Sequence, residues 1–481
     1  MKVAVIGGGI GGLAVAYELK KQAKKLGLQL PEVLVFEALG RFGGNADTMH
    51  FSFGEGPQGE MRRWADLGVN DFNKSAYNDI DEVMTEIGFV EGKDYRNLED
   101  TTSYYTGDGS LFFTDNATPW WGTGMDPKLK ASVDDFMSAG GMDGDNPKYH
   151  EYTLERYIDE KSQERGWDPR LGPWVIYPRV NGMYFTSSEL GPRRMPFYSV
   201  MHYYKIQEGA GGKPANRMYF VGGTSHWIDR LTDYMAQTLG VKLVTDFPAV
   251  VSRDSTGWKV TNSISPMEQY QPDLVVIASH ANDALKLLKT ISPQVSNIMS
   301  QITYETAISV AHVDARLLPV DQNAWCTYNI VIHQPGSVAM KPYVINYVAN
   351  RHQNDAANPE YDKFGLPQFF VSVNPHLPIR EEMVLKDEYQ REAFTYLHHN
   401  VFDFACIQAQ ADIKLQQGKS GLYYAGGWTY GSGLHEECWQ QGIEIAGLIL
   451  GQLSTGKEPE HAPVKAFELM HERLRKTATA A

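Results

Sequence analysis

Apolar positions along the chain fall into three kinds of pattern. Short unbroken runs, Val3-Ala-Val-Ile6, Val33-Leu-Val-Phe36 and Leu274-Val-Val-Ile277, have the length and β-branched content of strands covered on both faces. Helical spacing sets Leu13, Ala14, Tyr17 and Leu19 on one face of 10–26, opposite a lysine-rich face, and Ile80, Val83, Met84 and Ile87 on one stripe of 77–88. Further helices are predicted over 126–140, 151–164 and 388–399, and a capped one with Ser225 as N-cap follows the glycine turn at Gly222. Aromatic, alternating segments at 324–332, 343–348 and 369–373 predict an antiparallel sheet, and shorter strands are expected at 241–244, 249–253 and 258–261.

The first strand runs into Gly7-Gly-Gly-Ile-Gly-Gly12, with Gly7, Gly9 and Gly12 at G-x-G-x-x-G spacing. In that motif the glycines allow a tight turn, backbone approach to a pyrophosphate and close packing of helix on strand, and the helix N-terminus favours the anion. Glu37 ends the second strand, where its carboxylate meets the hydroxyls of an adenosine ribose.

Arg41-Phe-Gly-Gly44 follows at once and brings a second pair of glycines beside the same ligand. With these residues together, the sequence resembles flavoproteins of the glutathione-reductase type and, within them, the amine-oxidase superfamily. The resemblance implies FAD. It also implies cofactor-binding roles for Gly7, Gly9, Gly12, Glu37, Arg41, Gly43 and Gly44, with Gly68, Val69 and Asn70 beside the isoalloxazine ring. Val250 then meets adenine through its backbone and Ser279 passes the nucleotide. The late stretch 421–450, a strand, a glycine-lined loop and a long helix, lays Gly427 and Trp428 along the cofactor and puts His435 and Glu436 beside the ring as cofactor-binding and catalytic candidates. More narrowly, Ala425-Gly-Gly-Trp-Thr429 and Leu434-His-Glu-Glu437 resemble the predicted NAD/FAD-binding proteins associated with cyclopropane-fatty-acid synthases.

The expected fold is α/β: a glutathione-reductase-type, doubly wound FAD-binding sheet, discontinuous in sequence, joined to an α+β substrate domain of antiparallel sheet and helices. Its FAD-binding parts are 1–75, 216–295 and 406–481, the last with a C-terminal helix. A substrate or cap region is expected over 76–215, dense in aromatics such as Trp120-Trp121, and the substrate sheet over 296–405.

Composition narrows the partners. A net charge of −14 argues against nucleic acid and against anionic membrane surfaces, both bound chiefly through Lys and Arg. Three cysteines without C-x-x-C spacing suggest buried thiols, and neither a disulfide framework nor a metal site. No apolar run reaches the length of a transmembrane span. A strand beginning at Lys2 leaves no room for a leader peptide, so a cytoplasmic location is expected.

The function expected first is hydride transfer from a substrate C–H to flavin N5, in a reaction like amine or amino-acid oxidation. A small organic substrate and oxygen or another electron acceptor are the partners, and a homodimer is allowed. Arg193 and Arg194 are candidates to clamp a substrate carboxylate, and Tyr328 to line the substrate site. One departure weakens this version: Ser309 stands where many superfamily members carry a lysine near N5. The alternatives are a desaturase or double-bond isomerase acting on an unsaturated fatty-acyl or similar apolar chain, and a flavin-binding protein without enzymatic activity.

Overall fold

A computed structural model describes residues 1–56, 59–116, 124–187, 190–210, 214–332, 343–353 and 368–463, with a few positions beyond, to 472. Trp120 and Trp121 lie outside the described residues.

The unbroken apolar runs become the centre of a five-stranded parallel sheet. Lys2–Ile6 lies between Glu32–Phe36 and Leu274–Ile277, with Lys242–Val244 and Leu422–Tyr424 at the edges. Val3, Val5, Val33, Val35, Val275 and Val276 are completely buried, as expected of strands covered on both faces. On one face the helix Ile10–Lys25 packs along the closing helix His435–Thr455. Gly442 makes this close approach possible, since a Cβ there would stand 2.6 Å from that of Ala14. The first helix is therefore buried more widely than its pattern suggests. Lys20 donates from its ammonium to the Pro31 carbonyl, and Glu18 accepts from the Trp439 indole at 3.0 Å.

A second, seven-stranded sheet takes Thr101–Thr106 and Leu111–Asn116 from early in the chain, and Tyr304–His312, Tyr328–Ile332, Ile345–Val348, Phe370–Val373 and Phe394–Asn400 from later. It is largely antiparallel, with one parallel pair, Thr101–Thr106 against Tyr328–Ile332. Tyr328–Ile332 is shorter than the expected 324–332. Ala324 instead ends a single turn, Gln322–Ala324, capped by Asp321, and the Trp325 indole is held by the Pro319 carbonyl.

Two local expectations are corrected. The segment 388–399 is not helical. Phe394–Asn400 is a strand in which exposed Phe394, Tyr396 and His398 alternate with the more covered Thr395, Leu397 and His399, paired along Tyr304–His312. Its aromatic and β-branched residues suit a half-covered strand, and that preference prevails over the apparent helical spacing. Ser225 does not cap its helix. Gly223, at φ 92°, occupies the N-cap, while the Ser225 hydroxyl accepts from the Thr48 amide. The three cysteines are buried and free. Among the described residues, no helix is long and apolar enough to cross a membrane.

Candidate functional site

One cavity of about 860 Å³ runs between the two sheets. Its floor is the glycine turn after the first strand. Gly7 adopts φ 112°, and a Cβ there would collide with the Ala278 carbonyl at 2.7 Å; one on Gly12 would meet the Gly7 carbonyl at 2.0 Å. Gly9 is the N-cap of the first helix, and no side chain caps it, so the first N–H groups stay available to an anion. Glu37 accepts from the Gly8 amide at 2.7 Å and from the Leu39 amide at 2.9 Å, one bond on each oxygen. The carboxylate is thus fixed at the cavity wall with lone pairs left for hydroxyl donors.

Beyond Glu37 the guanidinium of Arg41 donates to the carbonyls of Gly44 and Ala46 at 3.0 Å and lies 3.2 Å from Asp47. It braces the turn that brings Gly43 and Gly44, both at positive φ, against the cavity. Gly68, Val69 and Asn70 line the same space, as do Ser279, Gly427, Trp428 and His435. The Trp428 indole donates to the Ser279 carbonyl at 3.1 Å and so ties the late loop to the end of the Leu274–Ile277 strand. His435 opens the closing helix, and burial lowers its imidazole to about 4, so it is neutral at pH 7.

Some expected residues stand elsewhere. Gly12 lies behind the wall, packed against the Gly7 carbonyl. Ala249 reaches the cavity, while its neighbour Val250 pairs with Thr261. Glu436 is not on the cavity wall. Its carboxylate accepts from the Asp79 and Ile80 amides at 3.0 and 3.1 Å, at the start of the helix Asn78–Glu86. Burial and the nearby Asp79 carboxylate raise its pKa. Arg193 lies 3.0 Å from Glu155, and Arg194 pairs with Asp403, so neither guanidinium faces the cavity. Ser309 is fully buried and also off the cavity wall.

Tyr328 does line the cavity, within a charged network that no single sequence segment announces. Its hydroxyl donates to Asp71 at 2.8 Å. Arg217 faces Asp71 at 3.1 Å, Asp100 at 3.2 Å and Glu208 at 2.5 Å, so each of its nitrogens is engaged. Arg179 bonds Glu208 and the Tyr104 hydroxyl and lies 3.4 Å from Asp115. Burial raises Asp115 to about 8, against the lowering effect of the Arg179 charge. Burial also acts to raise Asp71, but nearby His352, 3.7 Å away, and the Arg217 charge override it and bring the carboxyl down to about 2. Asp71, Asp100, Glu208, Arg179 and Arg217 all reach the cavity, with Phe185, Tyr203, Ile330, Ile345, Tyr347 and Leu397 supplying apolar and aromatic wall around them. The sequence signal for this cluster was weak: Asp71 directly follows Gly68-Val-Asn70, and nothing about the other members marks them as neighbours.

Residues 5–87 match the NAD(P)-binding Rossmann-like domain family, in agreement with the glycine turn and Glu37. Among curated proteins, none matches the sequence. Cyclohexylamine oxidase from Brevibacterium oxydans is similar in structure at 14% identity and TM-score 0.62, over 94% of this chain and 99% of that one. Putrescine oxidase bound to putrescine gives 14% identity and TM-score 0.59 over the same shares. A fatty acid isomerase from P. acnes that produces CLA gives 14% identity and TM-score 0.61, over 92% of this chain and 97% of that one. These likenesses show the fold: a Rossmann-like domain of the FAD-binding type beside a separate, largely antiparallel sheet, as in flavin oxidases.

Proposed function

We propose that the chain is an FAD-dependent oxidoreductase that oxidises the C–H bond next to the nitrogen of a small amine. The residues present fit the cofactor. The uncapped first helix takes the pyrophosphate, Glu37 the ribose hydroxyls, and Gly43, Gly44 and Gly427 leave backbone where a flat ring system must pass. Bound FAD supplies the hydride acceptor, the part of the chemistry that no side chain can provide. The protein excludes water, holds the substrate carbon and places charge around it.

The observation that carries the amine reading is the charge balance at the polar end of the cavity. Asp71, Asp100 and Glu208 face it against Arg179 and Arg217, whose guanidinium groups are already engaged by carboxylates. Asp100 makes its ion pair through Oδ2, and Oδ1 has no partner among the described residues. A ligand entering here meets spare acceptors rather than spare cations. That favours an ammonium over a carboxylate, and an amine over an amino acid or a free fatty acid.

A second reading, isomerisation or desaturation of a fatty-acyl chain, draws on the aromatic and aliphatic wall and on Ser309, which stands where the amine-oxidase resemblance expects a lysine and lies off the cavity wall. The test begins with the visible spectrum of the purified protein, which should show oxidised flavin. Anaerobic addition of hexylamine should bleach it, norleucine and linoleate should not. Bleaching by linoleate alone, or conversion of linoleate without bleaching, would replace the first reading with the second.

A further inference from the structure

The strand Phe394–Asn400 crosses the cavity opposite the nucleotide-binding turns. A Cβ added to Gly68 would stand 3.4 Å from the Leu397 side chain, and one added to Gly427 would stand 3.9 Å from the Asn400 amide oxygen. His399 lies between those two contacts, on the stretch of strand that spans the space from the Gly68-Val-Asn70 turn to the late glycine loop. Two constraints fix its ring. Nδ1 lies 3.0 Å from the Asn400 carbonyl, and because a carbonyl can only accept, Nδ1 carries the proton. The ring also stacks on Phe185, with centroids 5.3 Å apart and planes at 23°.

The groups around it keep the imidazole neutral. Burial, reinforced by His280, lowers it to about 4. Glu305, its partner in the strand register, is held by the Ser187 amide and hydroxyl. His398 turns to the Thr306 hydroxyl instead. A neutral imidazole with its proton on Nδ1 has a lone pair on Nε2, and among the described residues Nε2 has no hydrogen-bond partner. His399 reaches the cavity wall. A fixed acceptor on an apolar, aromatic stretch of wall is a directional contact for a ligand that donates.

We propose that His399 is the substrate-orienting acceptor of this site, taking a hydrogen bond on Nε2 from an N–H of the amine whose adjacent carbon is oxidised. The inference rests on the amine reading above. An ammonium has three donors, and accepting one of them on Nε2 moves no proton during binding.

The test uses full-length protein loaded with FAD and labelled with 15N on histidine, and His399→Gln identifies the His399 signals. In the ligand-free protein at pH 7, His399 should show a protonated Nδ1 and an unprotonated Nε2. The opposite tautomer, or a charged ring, overturns the proposal whatever the substrate class. Hexylamine should then shift the Nε2 signal, and hexanoate should leave it unmoved. Hexylamine that perturbs the flavin spectrum without moving Nε2 also overturns the proposal. If hexylamine perturbs neither, the amine reading has failed and the proposal falls with it, a result told apart by the intact ligand-free tautomer. Two variants check the role independently by hexylamine titration. His399→Leu should weaken binding about tenfold or more, while His399→Gln, which keeps an acceptor at similar reach, should stay close to wild type. Equal binding by all three proteins would remove His399 from substrate recognition.

Discussion

On the nucleotide side, the cavity wall is mostly backbone: Gly7, Gly9, Gly43, Gly44, Gly427 and the open end of the first helix, with Glu37 as its main charged side chain. Across from it the wall is almost all side chain, with the Asp71, Asp100, Arg179, Glu208 and Arg217 cluster and Tyr328 in one part and His399 stacked on Phe185 in another. The first wall offers a shape and a dipole, which suit a ligand that is the same in every turnover. The second offers a particular arrangement of charge and aromatic surface, which can be altered residue by residue to suit a different substrate. A fold that separates the two can keep its cofactor while changing its chemistry, consistent with an amine oxidase and a fatty acid isomerase sharing it.

The comparison predicts that damage to the two walls should be read by different instruments. The largest effect is expected from Gly12→Val. Its side chain would start 2.0 Å from the Gly7 carbonyl, so the first helix must move off the strand, and flavin should be absent from whatever protein folds. Retention of stoichiometric flavin absorbance would break the assignment of that wall. Arg217→Met comes next. It leaves Asp71, Asp100 and Glu208 without their shared cation and should destabilise the fold by about 3 to 5 kcal/mol in urea titration. Flavin affinity of the folded fraction should change little, and a selective loss of flavin would show that the walls are not separable.

Glu37→Gln should weaken FAD binding by about 1 to 3 kcal/mol in equilibrium titration, since one charge-assisted acceptor is lost, with hexylamine affinity of the reloaded protein unchanged. Smaller still is Glu436→Gln. Because that carboxylate caps the helix Asn78–Glu86, the variant should alter stability by roughly 1 kcal/mol and leave the flavin spectrum alone. A large loss of flavin reduction would restore Glu436 to the reaction centre.

The pH dependence sharpens the comparison last. His435 at the start of the closing helix and His399 on the Phe394–Asn400 strand are both lowered to about 4 by burial. Between the ordinary histidine value near 6.5 and about 4, the unfolded chain binds protons that the folded one refuses. Stability contributed by these rings is therefore complete above that window and is lost as pH falls through it. Thermal melts from pH 7.5 to 4.5 should show this decline, and replacing both rings with Gln should reduce it without removing it, because burial also lowers His312 to about 4.

The nucleotide wall was legible because its determinants are local. A buried run, three glycines at fixed spacing and a terminal acid lie within 37 residues, and each is required by backbone geometry that holds wherever the motif occurs. Single-residue roles read from the same stretches were less secure. Val250 and Ala249 alternate on one strand, and so do the two faces of His435-Glu436 on one helix turn, where sequence cannot say which neighbour turns inward. The pair Arg193-Arg194 looked like a clamp because charge is visible in sequence while its partners, Glu155 and Asp403, are not.

Sequence alone thus determined the parallel sheet, the dinucleotide turn, the late glycine loop and the overall division into a nucleotide half and an aromatic half, since all of these follow from periodicity and short spacing. Tertiary structure alone decided that Asp71, Asp100, Arg179, Glu208, Arg217 and Tyr328 meet at one end of a cavity, and that 394–400 is a strand along its wall rather than a helix. The reason is physical: a buried ion pair is stable only where folding brings its partners into contact and removes water together, and nothing in the spacing of residues 71 and 217 records that they will touch.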